Sequence, residues 1–231
     1  LTHDFWRGQK EIGEQQSGGA IIEGDGIRYD YRTNTNGERI IFRGGRKAGQ
    51  KECFMLFLDP DRTATLQSLK QGANCALDPN GTGRTMVLAA VNLAKEKGAT
   101  TLELADDSKK WINDTTFFKL SNMYFLTSGK TWYATIIPTL QPTDTIQLMK
   151  IQRWSQSVTT NTWASVANKL PSYVTIPVDI SDIDIHQQGS AMVVFNRIKD
   201  AGTHFFVYYD DEALAASGIG NLYGISWKTN L

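Results

Sequence analysis

Cysteine is scarce in this chain: 231 residues contain two, Cys53 and Cys75. Neither has a neighbour at metal-ligand spacing, which excludes a zinc ribbon, and both lie in or beside a predicted strand, where buried free thiols in a reducing compartment are expected. Long hydrophobic runs are missing too. The longest, Cys53-Phe54-Met55-Leu56-Phe57-Leu58, is far too short to cross a bilayer, and the amino end carries no signal-peptide pattern. Charge of one sign is lacking: Lys+Arg and Asp+Glu both total 24, so no global field draws the chain to nucleic acid or an anionic membrane. The three histidines, His3, His186 and His204, are scattered without acidic partners at ligand spacing, so no metal site is expected. Nucleophile elbow, P-loop, internal repeat and low-complexity tract are all missing. The chain opens on Leu1 rather than methionine, as a fragment or processed product would.

What remains is a chain with 41% hydrophobic residues, enough to bury a substantial core. Residues 1–19 are polar and Gly-rich around an isolated Phe5-Trp6 pair, and read as an arm. Ala20-Ile21-Ile22, Ile27 to Tyr31 and Arg39 to Phe42 alternate with Gly24-Asp25-Gly26 and Asn34-Thr35-Asn36-Gly37. Such strands and turns predict an antiparallel meander. Gly44 to Gly49 is a basic loop, for which a solvated turn is the commoner outcome than a phosphate site.

The segment from Cys53 to Tyr133 carries the strongest pattern. Cys53 to Leu58 reads as a buried strand closed by Asp59-Pro60-Asp61, and Thr63 to Leu69 as its neighbour. After the turn Asp78-Pro79-Asn80-Gly81-Thr82-Gly83, apolar Val87, Ala90, Val91 and Ala94 recur at helical spacing from Arg84 to Lys97, and Gly98 stops the helix. Thr100 to Ala105 follows as a strand, so the order strand, helix, strand predicts a parallel pair. An exposed loop is expected at Asp106-Asp107-Ser108-Lys109-Lys110. Leu120, Met123, Tyr124 and Thr127 predict a helix ended by Gly129, and Trp132 to Ile137 a strand.

Pro138 and Pro142 punctuate the join to a second region. There Ile146 to Leu170 is amphipathic, Tyr173 to Ile176 strand-like, and Ile183 to Lys199 helical in part. His204 to Tyr209 and Leu222 to Trp227 are aromatic runs that predict strands pairing beside Trp132 to Ile137. Asp179, Asp182 and Asp184 lack the length and glycine of a calcium loop, and a surface turn or capped helix is expected.

Asn80-Gly81-Thr82-Gly83-Arg84-Thr85-Met86, the helix end Ala94-Lys95-Glu96-Lys97-Gly98-Ala99 and the strand Thr101-Leu102-Glu103-Leu104 resemble the central motif of the GNAT superfamily of acetyl-CoA-dependent N-acetyltransferases. More narrowly, Leu102 to Ser108 followed by Lys119 to Tyr133 is similar to divergent acetyltransferase-like proteins of nucleocytoplasmic large DNA viruses. Together these segments cover about a third of the chain. The resemblance implies an α/β fold with a mixed sheet and a C-terminal elaboration: an arm over residues 1–19, a core over 20–137, and a region over 138–231 that completes the same sheet.

In such a fold, free N–H groups at the helix start bind the coenzyme A pyrophosphate, here Gly81, Thr82, Gly83 and Arg84. The superfamily begins this loop with Gln or Arg three residues before the first glycine, whereas Asp78 holds that position here and would repel a diphosphate. Catalysis would need an acid, for which Tyr124 or Tyr133 is the candidate, and a base, for which Glu103 is. Packed aromatics and a solvated strand carboxylate are the plainer readings of the three. The resemblance leaves three functions: a minor capsid or other virion-associated structural protein without a cofactor, which is favoured, an acetyl-CoA-dependent N-acyltransferase, or, less favoured, a module that holds coenzyme A or an acyl chain without turnover. The first implies other virion proteins as partners, no nucleic acid, no membrane span, and residence in the virion and in the host cytoplasm during assembly.

Overall fold

The computed structural model describes residues 16–24, 27–36, 39–44, 54–69, 83–157, 159 and 161–231. The readings made of residues 1–15, of the basic loop at 45–49, of Cys53 and Cys75, and of the turn from Asp78 to Thr82 lie outside the described residues. The fold is mixed α/β, with a sheet of parallel and antiparallel strands flanked by helices. It divides into two compact units: Leu1–Leu104 with Thr229–Leu231, and Ala105–Lys228. The sequence had put the join at Pro138.

In the first unit, β1 (Gln16–Gly24), β2 (Ile27–Asn36) and β3 (Arg39–Gly44) form the predicted antiparallel meander, which β4 (Phe54–Leu58) and β5 (Thr63–Leu69) continue, each strand beside the next. β1 begins inside the stretch assigned to the arm. The chain then enters α1 (Gly83–Glu96) and returns as β6 (Thr101–Ala105), parallel to β5 with Ala64 opposite Leu102 and Leu66 opposite Leu104. The helix buries Met86, Val87, Ala90, Val91 and Ala94, the stripe that the helical spacing predicts. Gly98 ends it with φ 81°, a left-handed turn that costs glycine little. Alternation then buries Leu102 and Leu104 and leaves Glu103 half-exposed between them.

The second unit is built around α2. β7 (Lys109–Trp111) and β8 (Phe117–Lys119) form a short antiparallel hairpin that leads into α2 (Leu120–Ser128), which Gly129 closes at φ 72°. α2 buries Ser121, Asn122, Met123, Phe125, Leu126 and Thr127, most of its circumference, as a helix packed on several sides must. α3 (Trp132–Ile136), β9 (Gln141–Pro142), α4 (Thr145–Gln156), α5 (Trp163–Ala167), α6 (Ser190–Ala201), α7 (His204–Tyr208) and α8 (Asp210–Ala216) follow. α2 packs against α3, α6 and α8. β10 (Ser226–Asn230) pairs antiparallel with β9 through Trp227 and Lys228, and its last residues belong to the first unit.

Four sequence expectations are corrected here. Trp132 to Ile137 is helical, begun by Thr131, whose hydroxyl accepts the Ala134 N–H at 3.4 Å. His204 to Tyr209 is also helical through Tyr208, and buries consecutive Phe205 and Phe206. Short apolar runs lack the length to separate strand from buried helix, and packing overrode β-propensity in both. Tyr173 to Ile176 has no regular structure, and the strand expected from Leu222 starts only at Ser226. Of the two closing strands expected, the one near Val207 is therefore a helix, as is the segment from Trp132 that they were to pair with, while the one near Ile225 is present as β10. Asp179 and Asp184 make the expected surface turns, accepting the N–H groups of Ser181 and His186, and Asp182 forms a two-point ion pair with Arg197 at 2.5 and 2.6 Å.

Candidate functional site

The residues nominated for acetyl transfer divide between the two units. Glu103 lies in mid-β6, opposite Thr65 of β5, in the first unit. At the start of α1, Gly83 is half-buried and Arg84 exposed, while Gly81 and Thr82 lie outside the described residues. No acidic residue stands in the first turn of α1, whose dipole therefore meets no carboxylate of its own helix. Tyr124 and Tyr133 belong to the second unit. Tyr124 is half-buried on α2, and its carbonyl accepts the hydroxyls of Thr127 and Ser128. Tyr133 is buried on α3, its ring edge-on to Trp132 at 4.8 Å.

Tyr133 stands in the field of Asp106 and Asp107. Burial is the largest influence on its phenol and the two carboxylates add to it, all raising the pKa far above the ordinary tyrosine value. Asp106 is the exception to the exposed loop expected at residues 106–110, because it is fully buried while Asp107, Lys109 and Lys110 are exposed. The backbone explains why. Asp106 N–H donates to Ile225 O at 3.0 Å, and Asp106 O accepts from Gly224 N–H at 2.9 Å, so the residue extends the edge of β6 into a pair with the returning chain. Gly224 takes φ 79° there, with Asp107 Oδ1 only 3.5 Å from where a Cβ would stand.

One Asp106 oxygen is well held: the Ser108 hydroxyl and the Ser108 N–H, at 3.2 Å, both donate to Oδ1. Oδ2 is buried without a hydrogen-bond partner. Desolvation therefore dominates and lifts the Asp106 pKa to about 6; the Ser108 bonds and a looser approach of the Thr131 hydroxyl oppose it, and Asp107 adds slightly to the rise. Ser121 Oγ and the indole nitrogens of Trp154 and Trp227 are likewise buried without a partner among the described residues.

A second polar cluster centres on Asn122. Its Nδ2 group donates to Asp210 Oδ2 at 2.8 Å, Asp211 Oδ1 at 3.2 Å and Asn221 Oδ1 at 3.1 Å, while its Oδ1 accepts the Leu222 N–H at 3.1 Å. Lys119 adds an ion pair to Asp211 and lies 3.9 Å from Asp210. Burial raises Asp210 to about 6, against the pull of Asn122 and Lys119. Further along, the Gln147 side chain donates to Ile219 O at 3.1 Å. Residues 219–225 are thus tied down in turn by Gln147, Asn122 and Asp106.

The alternation of Leu102 and Leu104 already carries the signal for Asp106, since the next residue on that face is Asp106. Asn122 and Asp210 had no such signal, because their partners are 88 to 100 positions away. Among the described residues, no group of three or more His, Cys, Asp or Glu is arranged to hold a metal ion, and no helix is long and apolar enough to cross a membrane. An open groove of about 590 Å³ lies in the first unit between Leu58, Pro60, Arg62 and Lys97, but its cations are engaged internally: Arg62 Nε donates to Gly98 O at 2.7 Å and Lys97 pairs with Glu96 at 2.9 Å. Comparison with protein-family models, with curated proteins and with solved structures finds no match to the chain.

Proposed function

We propose that the chain is a structural, assembly-forming protein that uses an acetyltransferase-like scaffold for contacts with other proteins rather than for acyl transfer. The observation that carries this reading is where apolar surface is exposed. Among the described residues, Trp111, Ile112, Ile146, Met149, Tyr173, Val193 and Tyr208 are the large apolar side chains about half exposed or more, and all seven lie in the second unit. Large apolar side chains exposed side by side, as Trp111 and Ile112 are, mark interaction sites, and tryptophan and tyrosine are the residues that anchor them. The electrostatics of Tyr133 point the same way. An acid that protonates a departing thiolate works best with a pKa near that of the medium, and burial beside two aspartates drives this phenol in the opposite direction.

The scaffold is read as acetyltransferase-like from the GNAT resemblance together with the parallel pair β5 and β6 joined by α1. Its kinship with proteins of large DNA viruses makes the particle of such a virus the assembly concerned, with other capsid proteins as partners. The chain is then expected to co-sediment with purified particles at a fixed ratio to the major coat protein, and its absence from them defeats the virion assignment.

The rival reading, an N-acyltransferase, requires coenzyme A to bind and so to stabilise the native state by mass action. Unchanged melting at millimolar coenzyme A is expected. A clear rise, with heat of binding by calorimetry, reverses the choice. Asp78→Gln tests the loop itself: coenzyme A binding gained by this variant would mean that only the charge at that position keeps the cofactor away.

A further inference from the structure

Two exposed patches of the second unit have complementary character. The first is the β7–β8 hairpin, whose tip is internally braced. Ile112 N–H donates to Thr116 O at 2.8 Å, and Asn113 Oδ1 accepts the N–H groups of Thr115 and Thr116 at 3.0 and 2.9 Å. Trp111 lies edge-on to Phe117 at 5.0 Å, and the Lys109 ammonium sits over both rings at 5.0 and 4.9 Å. Trp111 and Ile112 are nevertheless 52% and 50% exposed. Apolar side chains ordered before a partner arrives lose little freedom on docking. Lys109 and Lys110 make the patch basic.

The second patch is aromatic and acidic. Tyr173 and Tyr208 are 61% and 57% exposed, and each ring lies 6.4 Å from that of Tyr209. The Tyr173 hydroxyl donates to Glu212 at 3.1 Å, and in the first turn of α8 Asp211 and Glu212 are the accessible acids, Asp210 being buried. Both patches border that turn. Lys119 at the hairpin base holds Asp211, and the next residue, Glu212, holds Tyr173.

We propose that the chain forms a twofold homodimer in which the Trp111 and Ile112 tip of each copy docks on the Tyr173 and Tyr208 patch of the other, with Lys110 facing Glu212. A twofold contact needs one surface that complements itself, and a basic apolar half beside an acidic aromatic half is such a surface. An anionic lipid surface fits less well, because Asp114 occupies the hairpin turn and Asp211 and Glu212 stand beside its base. The inference rests on reading the second unit as a protein-contact surface and names one of its partners.

Sedimentation equilibrium of the full chain over two decades of concentration tests it. A reversible dimer is expected, weakened about tenfold by Lys110→Glu and again by Glu212→Lys, because each substitution reverses two symmetry-related pairs. The chain carrying both substitutions is expected to recover most of the affinity, and Trp111→Ala to lose about a hundredfold. Since Trp111→Ala also removes the ring against Phe117, the charge exchange, which leaves the hairpin contacts in place, decides the matter. A monomer throughout overturns the proposal. So does a dimer indifferent to all four variants, or a monomer that binds phosphatidylserine vesicles through Trp111. A monomer that still co-sediments with particles would refute the dimer alone, while a dimer absent from particles would refute the virion assignment alone.

Discussion

Among the described residues of the first unit, Phe54, Leu56, Leu66, Leu93, Leu102 and Leu104 are buried with little polar company, Thr85 and Thr229. In the second, Asp106, Ser121, Asn122, Thr131, Asn161, Ser190 and Asp210 are buried alongside Phe125, Trp154, Phe195 and Phe206. Where its side chains are described, in β4 to β6 and α1, the first unit is therefore specified by which face of each element is apolar. The second is specified in addition by which polar groups find one another, and a half-satisfied network there costs more than an apolar core would. One chain thus holds two kinds of interior, and they differ in how they should fail.

Phe54→Ala is expected to cost the most, about 4 kcal/mol, since it empties a fully buried aromatic site beside β5. Urea unfolding followed by hydrogen exchange should show β3 to β6 losing protection first. Asn122→Ala should cost about 3 kcal/mol although it removes little volume, because it takes the closest hydrogen bond from buried Asp210 and strands the Leu222 N–H. A loss under about 1 kcal/mol would break the distinction between the two interiors.

The carboxyls sharpen the same contrast through pH. Asp106 and Asp210 have folded pKa values of about 6 against an ordinary 3.8, so the folded state holds their protons more tightly than the unfolded chain does. Stability is then fully favoured below 3.8 and is lost as pH rises through about 6. The second unit should gain about 3 kcal/mol per carboxyl as the solution is acidified across that window, and Asp106→Asn should remove its own share. Equilibrium unfolding at a series of pH values measures it, and a flat profile contradicts the buried-acid description. The smallest effect is expected of Gly129→Ala, about 1 kcal/mol, because φ is 72° while the added Cβ would meet only Met192 Sδ at 3.6 Å. Thermal melting suffices to detect it.

The same contrast explains what the sequence discloses. Strands β2 to β6, helix α1 and helix α2 with its Gly129 stop are legible because period and punctuation are local properties of Ile27 to Gly129. Trp132 to Ile137 and His204 to Tyr209 are misread because a five-residue aromatic run satisfies either period, and the choice was made by the helices that pack around it. Of the candidate site residues, Tyr133 is placed beside a carboxylate that alternation along β6 could have revealed. The Asn122 cluster stayed hidden because nothing near Asn122 in the sequence announces Asp210 or Leu222.

That separation has a consequence for synthesis. Contacts close in sequence form with little loop entropy, whereas those spanning about a hundred residues must wait. The pair β5 and β6 can close around α1 as soon as Ala105 has left the ribosome. Asn122 meets its last partner only with Leu222, 100 positions later, so the helix at the heart of the second unit waits through the synthesis of all that intervening chain before the bonds that fix it can form.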